Sequence, residues 1–227
     1  MTAARTAGRT LGLLLLVQSM AGITANFVLL APAISAPPGF LVNAAGSSTQ
    51  IIVAVLLLLG TGLISLANAI TAMPVIRRHS AAMAVAFVAL AAVNFSGVVV
   101  EGIALRAMLA LSQEFARTGA ADPAAFETLS TLARAVRNSA HYTNLLLGGC
   151  ALLVFYIALF RFKLVPRALA ALGLLTVTSL IAGALVPLFG YPTVMLMFMP
   201  MGLSHLALAL WLVVRGFAET DGPVPTR

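Results

Sequence analysis

Charged residues are scarce in this sequence. They make up 8% of its 227 residues, whereas hydrophobic residues make up 61% and the mean hydropathy is +1.07. Soluble domains carry about 25% charged residues. Because so few charges could not cover the surface of a protein in water, the composition excludes a soluble globular protein. It predicts that a lipid bilayer surrounds the chain.

Cysteine is nearly absent too. The single cysteine, Cys150, excludes an intramolecular disulfide and any metal site built on a Cys-x-x-Cys pair. It lies in an apolar run, so we interpret it as a small buried hydrophobic side chain. The sequence also lacks the P-loop, nucleophile-elbow, HExxH zinc and dinucleotide-binding motifs. We therefore predict no cofactor, no metal site and no catalytic residue.

Acidic residues are the third scarcity, with six against 13 basic residues and a net charge of +7. In a soluble protein this excess would suggest a nucleic-acid partner. Here most basic residues fall in short segments between apolar runs, where they orient helices in the membrane instead. We therefore expect no nucleic-acid partner. The bias to arginine and alanine is typical of bacteria with GC-rich genomes, and we expect a multi-pass protein of the bacterial cytoplasmic (inner) membrane.

Six apolar runs are long enough to cross a bilayer, which takes about 20 residues. They cover 11–31, 50–73, 81–111, 141–160, 168–189 and 194–214. The first run is too long for the core of a secretory signal, so we interpret it as an uncleaved helix followed by a charge-free, proline-rich loop. The fold class is all-α: an integral membrane bundle of six transmembrane helices in a single domain, 1–216. The remaining residues, 217–227, are predicted to be a short disordered tail.

The basic residues also predict the orientation of the bundle. With the N-terminus inside, nine basic residues are cytoplasmic: Arg5, Arg9, Arg77, Arg78, Arg161, Lys163, Arg167, Arg215 and Arg227. Four are outside: Arg106, Arg117, Arg134 and Arg137. The positive-inside rule then places both termini in the cytoplasm.

The segment between the third and fourth spans is the one stretch of water-like composition. Asp122 can cap a helix and Pro123 suits its first position. Apolar side chains then recur at helical spacing as far as Val136. We predict a short extracytoplasmic amphipathic helix over 122–136, which lies at the interface or leads into the next span.

Three stretches carry a family resemblance: RTLGLLLLVQSMAGITANFVLL, GGCALLVFYIALFRFKLVPRALAALGLL and HLALALWLVVRG. They resemble the bacterial multi-pass membrane family known as domain of unknown function 4386, and the resemblance covers about 7–216. It implies a six-helix integral membrane protein and implies no activity. Members often carry an acidic residue in the third span, which Glu101 matches. They often carry Glu before the final Leu-Ala-Leu-Trp run, where this chain has His205.

Polar residues inside the spans are the candidate site, because ionisable side chains in a membrane are expensive. On the third span Asn94 and Glu101 share a helical face, and on the fourth His141 and Asn144 share another. Counting along the helix places Glu101 in the outer third of the bilayer, and Asn26 lies in the outer half of the first span. These side chains could line a polar pocket open to the outside. Alternatively, Glu101 and His141 lie at the water interface while the asparagines hydrogen-bond between helices.

His205 lies near the membrane midplane, where a neutral histidine needs a hydrogen-bonding partner. A bond to a neighbouring helix, a proton relay and a metal or haem ligand are the alternatives. Haem would need His141 as the second axial ligand, and a zinc site would need Glu101 and His141. Their depths differ from that of His205 by roughly 10–15 Å, which disfavours both sites.

Three functions follow as hypotheses. The first is a membrane protein that binds or moves a small ligand or a proton through an outward-facing polar pocket. The pocket is built from Glu101, His141, Asn94, Asn144 and Asn26, and His205 is a further ligand-binding candidate. The second is an intramembrane enzyme that uses Glu101 or a histidine as general base or metal ligand. The third is a structural or accessory protein that binds a partner through 122–136. The expected partners are the lipid bilayer and an unknown small ligand, and self-association into a homo-oligomer is left open.

Overall fold

A computed structural model describes residues 2–119 and 122–218, and these residues are almost entirely helical. They form seven α-helices: α1 Ala3–Ile23, α2 Phe40–Gly46, α3 Ser48–Arg77, α4 Ala81–Thr118, α5 Pro123–Arg161, α6 Arg167–Leu188 and α7 Met199–Arg215. A π-type segment, Thr24–Ser35, continues α1, and a 3₁₀ turn, Met195–Met197, precedes α7.

Six helical segments in this part of the chain are long and apolar enough to cross a membrane. They are Ala3–Ser35, Ser48–Arg77, Ala81–Thr118, Pro123–Arg161, Arg167–Leu188 and Met195–Arg215. The prediction of six spans is confirmed, and the protein is a multi-pass membrane protein.

The connection after the first span differs from the predicted loop. The helix runs on through Pro32, because the wider π-type hydrogen bonding accommodates a residue that donates no backbone hydrogen bond. After Gly39, whose φ is +118°, the chain forms α2 and buries Phe40 and Ala44 completely. The buried Ser112 hydroxyl of α4 accepts from the Ala45 amide of α2 and donates to the Leu41 carbonyl. The loop expected there is therefore partly a short helix packed on the bundle.

The amphipathic segment 122–136 is not a separate short helix. It is the first part of α5, which runs without a break to Arg161. No glycine or proline lies between 136 and 141 to end the helix. The predicted start is confirmed: the Asp122 side chain accepts a hydrogen bond from the Ala125 amide at 3.1 Å, and Pro123 is the first helical residue.

Helices α4 and α5 form one long antiparallel pair. Phe87 stacks on Phe155 with ring centroids 4.9 Å apart, and at the other end Phe115 meets Phe126 edge-on at 5.3 Å. The two contacts are 28 residues apart on α4 and 29 residues apart on α5. The two helices therefore keep the same register over roughly 42 Å. Residues near 101 on α4 therefore face residues near 141 on α5, midway between the two aromatic pairs.

The apolar core has two parts, and α4 contributes to both. Phe87 and Ala91 belong to the part around Phe155, whereas Val98 and Leu105 belong to the part that contains α2. Two buried polar side chains of α4, Asn94 and Glu101, come after Ala91 along the helix. The polar cluster therefore begins where the two parts of the core meet.

The first two residues of the predicted tail pack against the helices. Phe217 is 1% exposed, and the Ala218 amide donates to the Leu164 carbonyl at 2.8 Å. These two residues pack on the bundle, so assigning them to a disordered tail was wrong. The rest of the predicted tail, 219–227, lies outside the described residues.

Candidate functional site

The candidate site is built on the facing surfaces of α4 and α5. Asn94 and Glu101 lie on the face of α4 that meets His141 and Asn144 of α5. Gly97 lies between the two α4 residues, and a Cβ atom there would be 3.4 Å from the Asn144 Cα. The glycine lets the helix backbones approach closely enough for short side chains to bond across the interface.

Glu101 is the centre of the cluster. It is 1% exposed, and both carboxylate oxygens are engaged by α5. His141 Nδ1 lies 2.7 Å from Oε1, a distance at which an N–H donates to a carboxylate. The Asn144 side-chain amide donates to Oε2 at 2.9 Å. Protein therefore encloses the carboxylate, so Glu101 is not open to water.

Arg137 is the cation of the site, and the sequence reasoning missed it. Its guanidinium Nη2 is 3.7 Å from Glu101 Oε1, and its side chain is only 15% exposed. The sequence analysis includes it only among the four basic residues outside the membrane. The signal that could have found it is spacing, since Arg137 precedes His141 by one helical turn on α5. Its charge balances that of Glu101, so the cluster is neutral while His141 is neutral.

Asn144 joins Glu101 to Asn94. The Asn94 side-chain amide donates to the Asn144 side-chain oxygen at 2.7 Å and to its backbone carbonyl at 3.0 Å. A Cβ on Gly148 would be 3.1 Å from the Asn94 amide nitrogen, so a small residue at 148 leaves room for this bond. The asparagines therefore hydrogen-bond between helices, and the same bonds align the Asn144 amide toward Glu101.

His141 is more exposed than the carboxylate that it contacts. Its side chain is 23% exposed, whereas the Glu101 side chain is 2% exposed. Among the described residues no hydrogen-bond partner faces its second ring nitrogen, Nε2. An imidazole can take up a proton at one nitrogen and release one at the other. The arrangement can thus exchange a proton between a buried carboxylate and the partly exposed edge of a ring.

Asn26 and His205 do not join this cluster. The Asn26 amide donates to the Gly22 carbonyl of its own helix at 3.0 Å. His205 Nδ1 lies 3.5 Å from the Tyr156 hydroxyl, which is roughly 22 Å along α5 from His141. The pairing with a neighbouring helix that the sequence suggested for His205 is therefore present. In the described part of the chain neither side chain bonds to Glu101, His141, Asn94 or Asn144.

The distance between His141 and His205 also bears on the haem and zinc sites that the sequence left open. His141 and His205 do not face each other, so they do not form an axial haem pair. Among the residues that the structure describes, no three His, Cys, Asp or Glu side chains are grouped to hold a metal ion. The zinc set of Glu101, His141 and His205 does not assemble.

Comparison with known proteins gives a family and no activity. No curated protein and no solved structure matches the chain. A family described as Domain of unknown function (DUF4386) matches residues 10–216 and thus most of the sequence. The six membrane-spanning helices agree with the architecture that the sequence resemblance implied. The chain belongs to the DUF4386 family.

Proposed function

We propose that the protein binds protons at the Glu101–His141 pair and uses this site to move a proton, alone or with a small ligand, through the outer half of the membrane. The observation that carries the proposal is the contact between a carboxylate that is 1% exposed and an imidazole that is 23% exposed. A buried acid needs an exchangeable group between it and the surface if protons are to reach it, and His141 supplies one.

The charges around Glu101 support reversible proton binding. Arg137 at 3.7 Å compensates the carboxylate, and both carboxylate oxygens already have donors. Protonating either His141 or Glu101 adds one positive charge to the cluster. A proton on His141 keeps the ion pair of Glu101 with Arg137, whereas a proton on Glu101 removes it. Intramembrane ionisable clusters of this kind mark proton relays and ion pathways.

The place of a small ligand follows from the same contacts. Asn144 occupies Glu101 Oε2 and also accepts from Asn94. A ligand with an N–H or O–H donor would replace the Asn144 amide at the carboxylate and leave Asn94 free to bind it. Proton and ligand would then compete for one carboxylate, which couples their binding.

Orientation and membrane are part of the proposal. The excess of basic residues on one side supports cytoplasmic termini and a site that faces outward. The composition and the family resemblance support the bacterial inner membrane, with residues 1–216 as a single membrane domain.

Proton binding can be tested by infrared difference spectroscopy of the purified protein as pH is varied. We expect the carboxylate bands to change as His141 takes up a proton beside Glu101, and this pH-dependent change should disappear in Glu101→Gln. Glu114→Gln is the matched control, because Glu114 lies on the same helix and pairs with Arg117 at an exposed position. A spectrum in which Glu101→Gln removes no pH-dependent carboxylate change contradicts the proposal.

Proton movement needs a second measurement. Protein in liposomes should discharge an imposed pH gradient faster than protein-free liposomes do, and Glu101→Gln and His141→Phe should abolish the difference while Glu114→Gln keeps it. If the parent protein and empty liposomes discharge the gradient equally, both without ligand and with a screen of small solutes, the site binds protons without moving them.

A second candidate, an accessory protein that binds a partner through 122–136, rests on a different observation. Leu129, Leu132 and Val136 are 48%, 60% and 52% exposed and lie on one face of α5, whereas Phe126 packs against Phe115. Site-specific crosslinking from Leu132 in membranes should capture a protein partner if this face binds one. Crosslinks to lipid alone would assign the face to the bilayer.

The hypothesis of an intramembrane enzyme that uses a histidine as general base keeps His141 as its candidate. When Nδ1–H donates to Glu101, the lone pair of Nε2 has no hydrogen-bond partner among the described residues.

A further inference from the structure

A second site lies at the opposite end of the bundle from Glu101. A cavity of about 530 Å³ opens where the start of α1, the α5–α6 turn and the end of α7 meet. Its lining includes the four cations Arg5, Lys163, Arg167 and Arg215 beside the rings of Trp211 and Phe217. None of its described lining residues is acidic. Three separate segments thus bring positive charge to one apolar-walled space.

Lys163 stands at a position that favours glycine. Its φ is +54°, and it follows α5 where the Leu164 amide bonds back to the Leu159 carbonyl at 3.1 Å. This is a Schellman helix end, in which the left-handed residue is usually glycine because a Cβ atom is strained there. Leu164 is fully buried, so the turn is held by packing. The lysine side chain adds its charge to the cavity despite the strained backbone.

The end of α7 and the start of α1 form the opposite wall of the cavity. The guanidinium of Arg215 lies over the Trp211 ring, 6.0 Å from its centroid. Gly216 has φ +71°, and a Cβ atom on it would be 2.6 Å from the Arg5 carbonyl oxygen. The first turn of α1 therefore contacts the end of α7 through backbone atoms. This contact keeps Arg5 and Arg215 on the same cavity.

We propose that this cavity binds the phosphate headgroup of an anionic phospholipid. The positive charge of the lining attracts an anionic phosphate, and basic pockets between the ends of membrane helices are suited to lipid headgroups. An acyl chain can continue from the cavity along α7, whose Leu210 and Val214 are 51% and 64% exposed. Trp211, 37% exposed, lies at the junction, where an indole ring suits the boundary between headgroup and hydrocarbon. The site is independent of Glu101.

The test measures the affinity of the detergent-purified full chain for three probes: phosphatidylglycerol, phosphatidylcholine and inorganic phosphate. We expect the parent to bind phosphatidylglycerol selectively. Lys163→Gln and Arg215→Gln should each weaken that binding by about fivefold, as expected for one basic residue at a lipid headgroup. Arg161→Gln is the matched control, because Arg161 lies two residues from Lys163, is exposed and does not line the cavity. It should bind the lipid as the parent does.

Lys163→Gly separates the lipid site from simple folding effects. It removes both the charge and the left-handed strain, so thermal stability without lipid should rise while affinity for phosphatidylglycerol falls about fivefold. Parental lipid affinity in this variant overturns the proposal. Equal loss in Arg161→Gln and Lys163→Gln would assign the binding to diffuse surface charge and also overturn it. Saturation by inorganic phosphate at the same affinity would replace the lipid by a free anion.

Discussion

Removing the charges of Glu101 and Arg137, singly and together, tests the energetic centre of the α4–α5 interface. The two side chains are 3.7 Å apart and only 2% and 15% exposed. At an effective dielectric constant of about 20, Coulomb's law gives an attraction on the order of 4 kcal/mol. The cost of desolvating both ions offsets much of this attraction, so we expect a coupling energy of about 1–3 kcal/mol.

In this double-mutant cycle each single variant should lose more stability than its lost contacts alone would cost, because it leaves one charge buried without its partner. Glu101→Gln leaves the Arg137 cation without its carboxylate, and it replaces one acceptor oxygen by an amide that faces existing donors. We expect it to lower the free energy of unfolding by about 2–4 kcal/mol. Arg137→Gln should cost less, because His141 can take up a proton and compensate the carboxylate. The double variant should be more stable than the sum of the single losses predicts.

The free energy of unfolding can be measured for the four proteins by reversible unfolding in mixed detergent micelles, with helix content followed by circular dichroism. Glu114→Gln serves as the control for a carboxylate on the same helix, since its pairing with Arg117 is at the surface. Additive losses, with a coupling energy below about 0.5 kcal/mol, would refute the reasoning that a charge pair holds α4 to α5.

Three further predictions concern packing and hydrogen bonds. Asn94→Ala removes two hydrogen bonds to α5 and should lower the free energy of unfolding by about 1–2 kcal/mol. An unchanged free energy of unfolding would mean that water replaces the amide. Gly173→Ala puts a Cβ where the Tyr156 ring lies and should lower the free energy of unfolding by about 1–3 kcal/mol. The control is Gly60→Ala, whose Cβ meets nothing within 4 Å and should leave that free energy unchanged. Equal effects of the two variants would contradict the contact with Tyr156. Ser112→Ala removes the hydroxyl that hydrogen-bonds to α2. Hydrogen exchange of the α2 amides should therefore become faster, while exchange of the α4 amides stays slow. Unchanged exchange in α2 would show that apolar packing alone holds α2 on the bundle.

Parts of the candidate site could be predicted from helical spacing. Asn94 and Glu101 are seven residues apart and therefore lie on one face of α4, and His141 and Asn144 share a face of α5 in the same way. The sequence also suggested that the asparagines bond between helices, and Asn94 bonds to Asn144. Spacing predicts which residues share a face of one helix. However, it does not predict which neighbouring helix that face contacts.

Arg137, Asn26 and His205 show what spacing leaves open. Sequence alone places Arg137 among the basic residues outside the membrane, but the unbroken α5 carries it to the carboxylate. Asn26 bonds to its own helix, and His205 meets Tyr156 on a different part of α5. Each outcome depends on the relative rotation and register of two helices. Many small contacts across the interface set these, and no single motif records them.

The sequence by itself determined that this is a multi-pass helical membrane protein of the DUF4386 family. Long apolar runs have only a helix with which to satisfy their backbone hydrogen bonds in lipid, so composition and length suffice for the multi-pass helical fold. The family follows from the match over residues 10–216. Only the tertiary structure decided that Glu101 is enclosed, with His141, Asn144 and Arg137 as its partners. An isolated helix would leave this carboxylate facing lipid, and it becomes tolerable only because the constant register of α4 and α5 brings donors and a cation to both of its oxygens.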